Sequence, residues 1–345
     1  MSRERGWQAI NLRMPDRIPR TEYVSHDEFI RKVTGLDTTV PEQAGRVGPV
    51  LAKVLDYDFI WSIDEAPLTK GRTTNMGHAV WSNVDRMNTN VACPFTDEEE
   101  VLAFDPVEEY GIPDPVETVE RFRENLEGGS AAYPGAVFPG GRYHTLFSAC
   151  IRTFGWDMFL SAAVSDPARF DRVLEGFFRL TMAEVEAWIR AGAKVYLPHD
   201  DICWSSGPAF HPDWYRRFIF PRYRKLWAPL REAGIKVIFC SDGTFTSLVT
   251  DIADAGADGF IFESTTSLEQ IAARYGKTKV IVGNADCRIL MSGTKDDIRR
   301  EVERCVRAGR DCPGYFLAVG NHIPNGIPLA NVEAYFEISS ELCRR

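Results

Sequence analysis

The sequence predicts an α/β fold in which parallel strands alternate with helices and close into a distorted (β/α)8 TIM barrel. Five βα units follow one another from about Lys194 onward, and three further apolar runs in the first half can supply strands. Seven or eight parallel strands is the number that closes such a barrel. An open doubly wound sheet is the alternative, but no GxGxxG fingerprint of a dinucleotide fold follows any predicted strand. We therefore rank the barrel first.

The second half of the chain contains short β-branched and apolar runs, each followed by a longer amphipathic stretch. This alternation is typical of buried parallel strands covered by helices. Five strands are predicted from it, at 194–198, 236–240, 259–263, 279–283 and 315–320.

The first half supplies the remaining strands. An N-terminal helical extension at 2–13 and a proline-bounded turn precede the first of them. The three strands predicted here are 19–24, 57–62 and 135–140.

Long connecting segments separate these elements. A helical region is predicted from about Arg142 to Ala191, with Asp166 and Pro167 starting a new helix inside it. Residues 62–132 are poor in strand pattern, so we expect an excursion of loops and helices over the barrel mouth. Together these elements predict one domain over residues 1–345.

The composition limits the function. Hydrophobic residues make up 44% of the 345 residues, aromatic residues 12% and charged residues 26%, as in a globular protein with a large core. The formal net charge is -9. Nucleic acids and anionic membranes both require a basic protein surface, so neither is an expected partner. We expect small molecules or another protein as partners.

Cysteine usage and the absence of long apolar stretches predict where the protein works. The eight cysteines form no CxxC pair, and the opening residues MSRERGWQAINLR contain no apolar signal region. Both observations predict a reducing, cytoplasmic compartment. No run approaches the roughly 18 apolar residues of a membrane helix. The sequence does not determine the oligomeric state, and a homodimer stays open.

Active-site groups of a parallel barrel lie at the carboxyl ends of its strands, because the following loops converge on one mouth. The residues that follow the predicted strands are rich in carboxylate, imidazole, amide and thiol groups. We expect four of them to be catalytic: Asp201, Asp242, Glu263 and His322. We expect five to bind substrate: His199, Asp200, Asn284, Asp286 and Asn321.

Structural roles compete with these interpretations. Asp200 and Asp286 could each be the N-cap of the next helix, and Asp242 could form an Asx-turn. Cys240 could be a buried apolar residue. A purely structural role is harder to accept for Glu263, because a carboxylate directly after an apolar run would be partly desolvated without a partner.

A metal site is a further hypothesis. A catalytic zinc ion needs three ligands from His, Cys and carboxylate side chains, and one open position. Cys240, Asp242 and His322 could provide them, since the Cys-x-Asp spacing points both side chains the same way from an extended segment. No compact His/Cys motif is present, so the sequence leaves zinc open.

These residues and their surroundings resemble the uroporphyrinogen decarboxylase superfamily, which includes cobalamin-dependent methyltransferases as well as the haem-pathway decarboxylase. The opening SRERGWQAINLRMPDRIPR is similar to the family's first helix and turn. Later segments follow the family's order and spacing, among them KVIFCSDG, GADGFIFE, VIVGNADCRIL and GNHIPNGIPLANVEAYFE. The resemblance implies a distorted TIM barrel, in agreement with the strand pattern.

The branches of this superfamily differ at the site. Decarboxylases carry a Met-Arg-Gln-Ala-Gly-Arg stretch whose arginines bind substrate carboxylates, whereas this chain has an acid, Glu22, there; Glu22 is a further substrate-binding candidate. Zinc-dependent corrinoid methyltransferases carry His-x-Cys-Gly and a later Cys where this chain has Cys240, Asp242 and Asn321. The chain therefore has harder oxygen ligands at two positions where those enzymes have soft thiolates. At residues 240–243 the chain resembles members with His-Ser-Asp-Gly, which are linked to methyl-ether demethylation.

The resemblance implies a methyltransferase that moves a methyl group from a small methylated donor, for example an O-methyl aromatic compound, to a corrinoid (cobalamin). No Asp-x-His-x-x-Gly motif is visible, so the corrinoid is expected on a partner protein. An acid, or a bound metal ion, would protonate or polarise the leaving atom. Two alternatives stay open: a uroporphyrinogen decarboxylase-like carboxy-lyase, and a non-catalytic barrel that binds a corrinoid or tetrapyrrole.

Overall fold

The computed structural model describes residues 2–61, 63–76 and 92–345. These ranges contain eight named strands: β1 (Gly140–Arg142), β2 (Val195–Pro198), β3 (Cys203–Trp204), β4 (Gly207–Pro208), β5 (Lys236–Cys240), β6 (Gly259–Ile261), β7 (Val280–Val282) and β8 (Tyr315–Phe316). Six of them form one parallel sheet in the order β1, β2, β5, β6, β7, β8. The strands β3 and β4 form a separate antiparallel hairpin.

Two extended segments join the ends of the parallel sheet. Arg20 forms a parallel bridge with Leu317, just after β8, and Phe59 forms one with Val137, just before β1. The backbone N–H of Asp58 donates to the carbonyl of Arg20 at 2.9 Å, which links the two segments to each other. Hydrogen bonding therefore continues around a ring of eight segments. The predicted α/β barrel is confirmed, and each predicted strand contributes a segment to it.

Helices occupy most of the connections. Those of the N-terminal half are α1 (Arg3–Ile10), α2 (Asp27–Thr34), α3 (Pro41–Val54), α4 (Glu98–Leu102), α5 (Pro106–Tyr110), α6 (Pro115–Ala132), α7 (Phe147–Ser165) and α8 (Pro167–Ala191). Those that follow are α9 (Pro212–Phe218), α10 (Phe220–Glu232), α11 (Val249–Ala255), α12 (Leu268–Tyr275), α13 (Cys287–Ser292), α14 (Lys295–Gly309) and α15 (Leu329–Leu342). None of the helices in the described ranges is both long and apolar enough to cross a bilayer.

The predicted helical region before β2 begins later than expected. Arg142 is the last residue of β1, and α7 begins only at Phe147, so the predicted start was wrong. A distant carboxylate, that of Asp200, accepts the first N–H groups of α7 and fixes its start, which local sequence cannot show. The predicted second start is confirmed, since Asp166 caps α8 and Pro167 is its first residue.

Alternation along the strands divides the apolar residues between two cores. Successive side chains of a strand point to opposite faces of the sheet. The inward-facing residues fill the barrel interior, among them Val195, Leu197, Ile238, Cys240, Val280 and Val282. The residues between them pack against the helices in a second core, among them Tyr196, Val237, Phe239 and Ile281. Cys240 is therefore an interior residue at the carboxyl end of β5.

The described residues of the expected excursion lie in two places, in the outer helix layer and at the barrel mouth. The helices α4, α5 and α6 pack against α8 in the outer helix layer. The segment 63–76 lies at the mouth, because its Glu65 contacts the His144 side chain just after β1 at 2.6 Å. Residues 62 and 77–91, also part of the expected excursion, lie outside the described residues.

Glu22 is buried between the barrel and α15. Its Oε1 accepts from the Val319 backbone N–H at 2.9 Å and from the Tyr335 hydroxyl, while its buried Oε2 has no hydrogen-bond partner among the described residues. Burial raises the pKa of Glu22 to about 8, against the two hydrogen bonds that favour the carboxylate. The structure thus gives Glu22 partners in the strand–helix layer and does not join it to the other predicted site residues.

We expect Glu22→Gln to gain stability relative to the wild type as the pH rises from about 5 to about 8. The folded wild type keeps a proton on Glu22 that the unfolded chain releases above pH 4.5. Its free energy of unfolding therefore falls through this window, by at most about 1.4 kcal/mol per pH unit, while glutamine has no such proton. Urea denaturation of both proteins at several pH values measures the difference. A difference that does not change with pH would contradict a buried, protonated Glu22.

Candidate active site

Side chains from the ends of β2, β5 and β6 converge at the barrel mouth. The Nε2 atom of His199 lies 3.0 Å from Oδ1 of Asp201, and the same oxygen accepts the backbone N–H of Asp242 at 2.9 Å. Oε1 of Glu263 accepts the backbone N–H of Gly243 at 2.8 Å. The structure therefore brings His199 together with three of the four residues predicted to be catalytic.

His199 continues β2 by one residue and is held from several sides. It forms a parallel bridge with Cys240, and its ring lies 4.3 Å from that of Tyr143, centroid to centroid. Burial opposes protonation of the ring, but the Cys240 and Asp201 side chains outweigh it and raise the pKa of His199 above its ordinary value. Burial also raises the pKa of the Cys240 thiol, although the contact with His199 acts in the opposite direction.

Asp201 is fixed through its backbone as well as its carboxylate. Its backbone N–H donates to Oγ of Ser148, near the start of α7, at 2.7 Å. Its carboxylate joins the end of β2 to the loop after β5 through Asp242. A carboxylate with two contacts of its own and an anchored backbone has little freedom to reorient, which suits a group that must meet a substrate in one geometry.

Asp242 is the carboxyl group whose ionisation the site disfavours most clearly. Burial raises its pKa to about 8, and the nearby negative charges of Asp201 and Glu263 act in the same direction. The charge of His199 and a hydrogen bond with the Asn321 side chain act in the opposite direction without cancelling the effect. Three carboxyl groups thus share a small, partly dry space.

Gly243 allows the hairpin of β3 and β4 to lie against this cluster. Its φ is +78°, and a Cβ atom at this position would lie 2.5 Å from the carbonyl oxygen of Cys203. The Thr244 backbone N–H then donates to the Trp204 carbonyl at 2.9 Å. Only glycine fits both the conformation and the contact. The hairpin therefore places Trp204, which is 43% exposed, beside the loop that carries Asp242.

The cluster also contains a set of potential metal ligands. Within the described residues, one ligand atom each from His199, Asp201 and Asp242 lies within 4.8 Å of the others. The predicted set of Cys240, Asp242 and His322 is not brought together in this way, because the Cys240 side chain belongs to the barrel interior. The thiolate-type zinc site of the superfamily therefore does not fit these residues, and we assign no step to it.

Asp200, the immediate neighbour of Asp201, points the other way and has a structural role. It is fully buried, and its two oxygens accept the backbone N–H groups of Leu146, Phe147 and Ser148 at 2.6 to 3.1 Å and the Tyr223 hydroxyl at 2.6 Å. These four donors leave no room for a substrate. The structure gives Asp200 the helix-capping role that competed with substrate binding.

Asp286 and Asn284 also have structural partners. Asp286 caps α13 by accepting the Arg288 backbone N–H at 2.8 Å, and it pairs with the Arg288 guanidinium at 2.7 Å. The amide of Asn284 is buried, where it donates to the Thr266 carbonyl at 2.7 Å and accepts from Arg304 at 3.0 Å. Neither side chain joins the cluster.

Asn321 and His322 follow β8 at the rim of the mouth. Nδ1 of His322 lies 2.9 Å from Oδ1 of Asn321, and its ring lies 6.0 Å from that of Tyr23. Burial lowers the pKa of His322, so this ring is neutral at neutral pH. Asn321 contacts Asp242, so it belongs to the cluster, whereas His322 reaches the cluster through Asn321.

Two contributors were missed by the sequence reasoning. Ser148 and Tyr143 lie after β1, in a stretch that was assigned to a helix, so their position at a strand end was not recognised. The signal was present: two glycines and an arginine follow the apolar run at 135–138, and the polar residues come directly after them. Ending the predicted strand at Arg142 would have pointed to both.

Comparisons with known proteins agree with this architecture. The sequence profile of the family described as Uroporphyrinogen decarboxylase (URO-D) matches residues 73–342. The chain belongs to this family. The uroporphyrinogen decarboxylase of Thermus thermophilus is 29% identical over 340 residues, which cover 97% of this chain and 91% of that one. That of Geobacillus thermodenitrificans is 28% identical over 228 residues, 66% of this chain and 63% of that one.

A solved structure shares the fold across the whole chain. The methyltransferase from Methanosarcina mazei superposes with a TM-score of 0.66 at 19% identity, covering 98% of both chains. The two chains therefore share a fold. Because a fold hosts many chemistries, the activity of this chain has to be argued from its own strand-end residues.

We expect Asp200→Ala to lower the free energy of unfolding by about 3–5 kcal/mol, because it leaves buried N–H groups without an acceptor. Tyr223→Phe should cost about 1–2 kcal/mol. Asp286→Ala is the matched control, a helix-capping aspartate at a less buried strand end, with an expected cost of about 1 kcal/mol. Urea denaturation measures all three. An Asp200→Ala protein with unchanged stability and no activity would contradict the structural role and indicate that Asp200 acts in the active site.

Proposed function

We propose that the protein transfers a methyl group from a small methylated donor, such as an O-methyl aromatic compound, to a corrinoid carried by a partner protein. One observation carries the proposal: three carboxyl groups and a histidine converge where the donor would bind. These residues are His199, Asp201, Asp242 and Glu263.

The chemistry of methyl transfer explains why such a cluster is needed. The methyl group moves to Co(I), which supplies the electron pair of the new bond, and the electron pair of the broken C–O bond stays on oxygen. An alkoxide or phenoxide is a poor leaving group in a dry site unless its charge is neutralised as it develops. The cluster can do this by placing a positive centre or a proton within reach of that oxygen, and the product then leaves as an alcohol or phenol.

The surroundings favour a flat, apolar donor. Trp61 and Ile63 pack against the interior core at the mouth, and Tyr143 lies beside His199. On the hairpin, Trp204 lies 5.4 Å from the ring of Trp156. Aromatic side chains around a few converging polar groups are typical of small-molecule sites. This wall suits a methoxylated ring better than a highly charged substrate.

Carboxylate removal from a porphyrinogen is the second candidate, and the names of the curated relatives favour it. A substrate with several carboxylates needs cationic partners. Arg142, at the end of β1, is 4% exposed and pairs with Glu184, and Arg20, on the first barrel segment, hydrogen bonds to Ser340. Neither guanidinium is directed at the carboxyl cluster, and that cluster would repel such a substrate, so we rank this reaction second.

The test is a methyl-transfer assay on the full-length protein with cob(I)alamin and a panel of methoxylated aromatics and methylamines, followed by the absorbance of methylcobalamin. We expect at least one donor to react, and we expect Asp201→Asn and Asp242→Asn to slow that reaction by at least about 100-fold.

Asp258→Asn is the matched control. Asp258 lies at the amino end of β6, at the opposite end of the barrel, where its carboxylate accepts the Val237 backbone N–H at 3.0 Å and an asparagine can do the same. Its rate should equal that of the wild type. Turnover of uroporphyrinogen without methyl transfer would favour the second candidate, and tight corrinoid binding without any turnover would favour a non-catalytic barrel.

A further inference from the structure

The cluster at the mouth contains three potential ligand atoms close to one another, and one pair has the separation found in a metal coordination shell. Ligand atoms about 2.1 Å from a metal ion and about 90–109° apart lie roughly 3.0–3.4 Å from each other. Nε2 of His199 and Oδ1 of Asp201 are 3.0 Å apart. An oxygen of Asp242 completes a group whose members all lie within 4.8 Å.

We propose that the ends of β2 and β5 form a binding site for a divalent first-row metal ion, with His199, Asp201 and Asp242 as its ligands.

The charges around the cluster favour a cation. Carboxylate oxygens of Asp201 and Asp242 lie within 4.8 Å of each other, and the Glu263 carboxylate accepts the backbone N–H of Gly243, the residue after Asp242. Among the described residues, no lysine or arginine lies within ion-pair distance of Asp242 or Glu263. A dication would relieve the mutual repulsion of these carboxylates, as metal ions do in other buried carboxylate sites.

The ligands are held by neighbours, as ligating residues usually are. His199 is 6% exposed and its ring packs on that of Tyr143. The Asp201 backbone is anchored by Ser148, and the Asp242 carboxyl group contacts Asn321. Such outer contacts orient ligands and typically change metal affinity 10- to 100-fold when they are lost.

The donor set predicts which ions bind. One imidazole and two carboxylates are borderline to hard ligands and suit Mn²⁺, Fe²⁺, Co²⁺ or Zn²⁺. The Cys240 side chain packs in the interior core and is not one of the side chains whose ligand atoms lie within 4.8 Å of one another. The site therefore differs in residues and in softness from a thiolate zinc site on this barrel.

This inference deepens the proposed function, since a cation here would polarise the oxygen that loses its methyl group. The binding itself does not depend on that function. Stoichiometric metal binding without methyl transfer would contradict the proposed function but not the metal site. Methyl transfer by the metal-free protein would contradict a catalytic role of the ion but not the proposed function.

The experiment is a titration of the full-length protein, treated with EDTA and dialysed, with Co²⁺ and with Mn²⁺. Calorimetry gives the affinity and stoichiometry, and the Co²⁺ spectrum reports the ligand type. We expect one equivalent to bind, with weak visible bands and no intense near-ultraviolet thiolate band. His199→Ala, Asp201→Asn and Asp242→Asn should each weaken binding at least about 10- to 100-fold.

Two controls keep the result specific. Asp258→Asn, at the other end of the barrel, should bind as the wild type does. Cys240→Ser should leave the stoichiometry and the Co²⁺ spectrum unchanged, which tests directly whether the thiol is a ligand. Circular dichroism establishes that each variant is folded. The proposal is overturned if no binding occurs at millimolar metal, if the three ligand variants bind as the wild type does, or if Cys240→Ser removes both the binding and a thiolate band.

Discussion

The hydrogen bond from the Asp242 backbone N–H to the Asp201 carboxylate is the contact on which the candidate site depends. It ties the loops after two neighbouring strands, β2 and β5, at 2.9 Å and leaves both carboxyl groups at the mouth. The same Asp201 oxygen orients His199. The backbone bond from Asp200 N–H to the Cys240 carbonyl joins the same two strand ends, and the Asp242 contact adds the close approach of acid, acid and imidazole.

The close approach of these carboxyl groups lowers the stability of the folded protein, but the same approach can be used in catalysis. Burying carboxyl groups beside one another raises the free energy of their ionised forms, which is why the pKa of Asp242 rises to about 8. The barrel supports the arrangement elsewhere, through two apolar cores and through the buried cap that Asp200 provides to α7. Carboxyl groups held this closely can bind a proton, a cation or a substrate that carries positive charge.

Much of the fold could be predicted from the sequence, because a strand buried on both faces consists of one continuous run of apolar residues. The site was predicted at the level of loops rather than of side chains. Asp200 and Asp201 are adjacent, and both follow β2, yet one caps a helix and the other faces the mouth. Local sequence does not reveal which of two neighbours turns outward, because that depends on contacts with Ser148 and Tyr223, far away in the chain. Glu22 shows the same limit, since its partner Tyr335 lies on the last helix.

The central claim is that Asp201 and Asp242 act as one unit on the reacting atom. A double-mutant cycle on kcat/KM for methyl transfer, with Asp201→Asn, Asp242→Asn and the double variant, tests it most directly. If they act together, the double variant will be no slower than the slower single variant, within about threefold. If the two losses multiply, each residue acts independently and the account of a shared carboxyl cluster is contradicted.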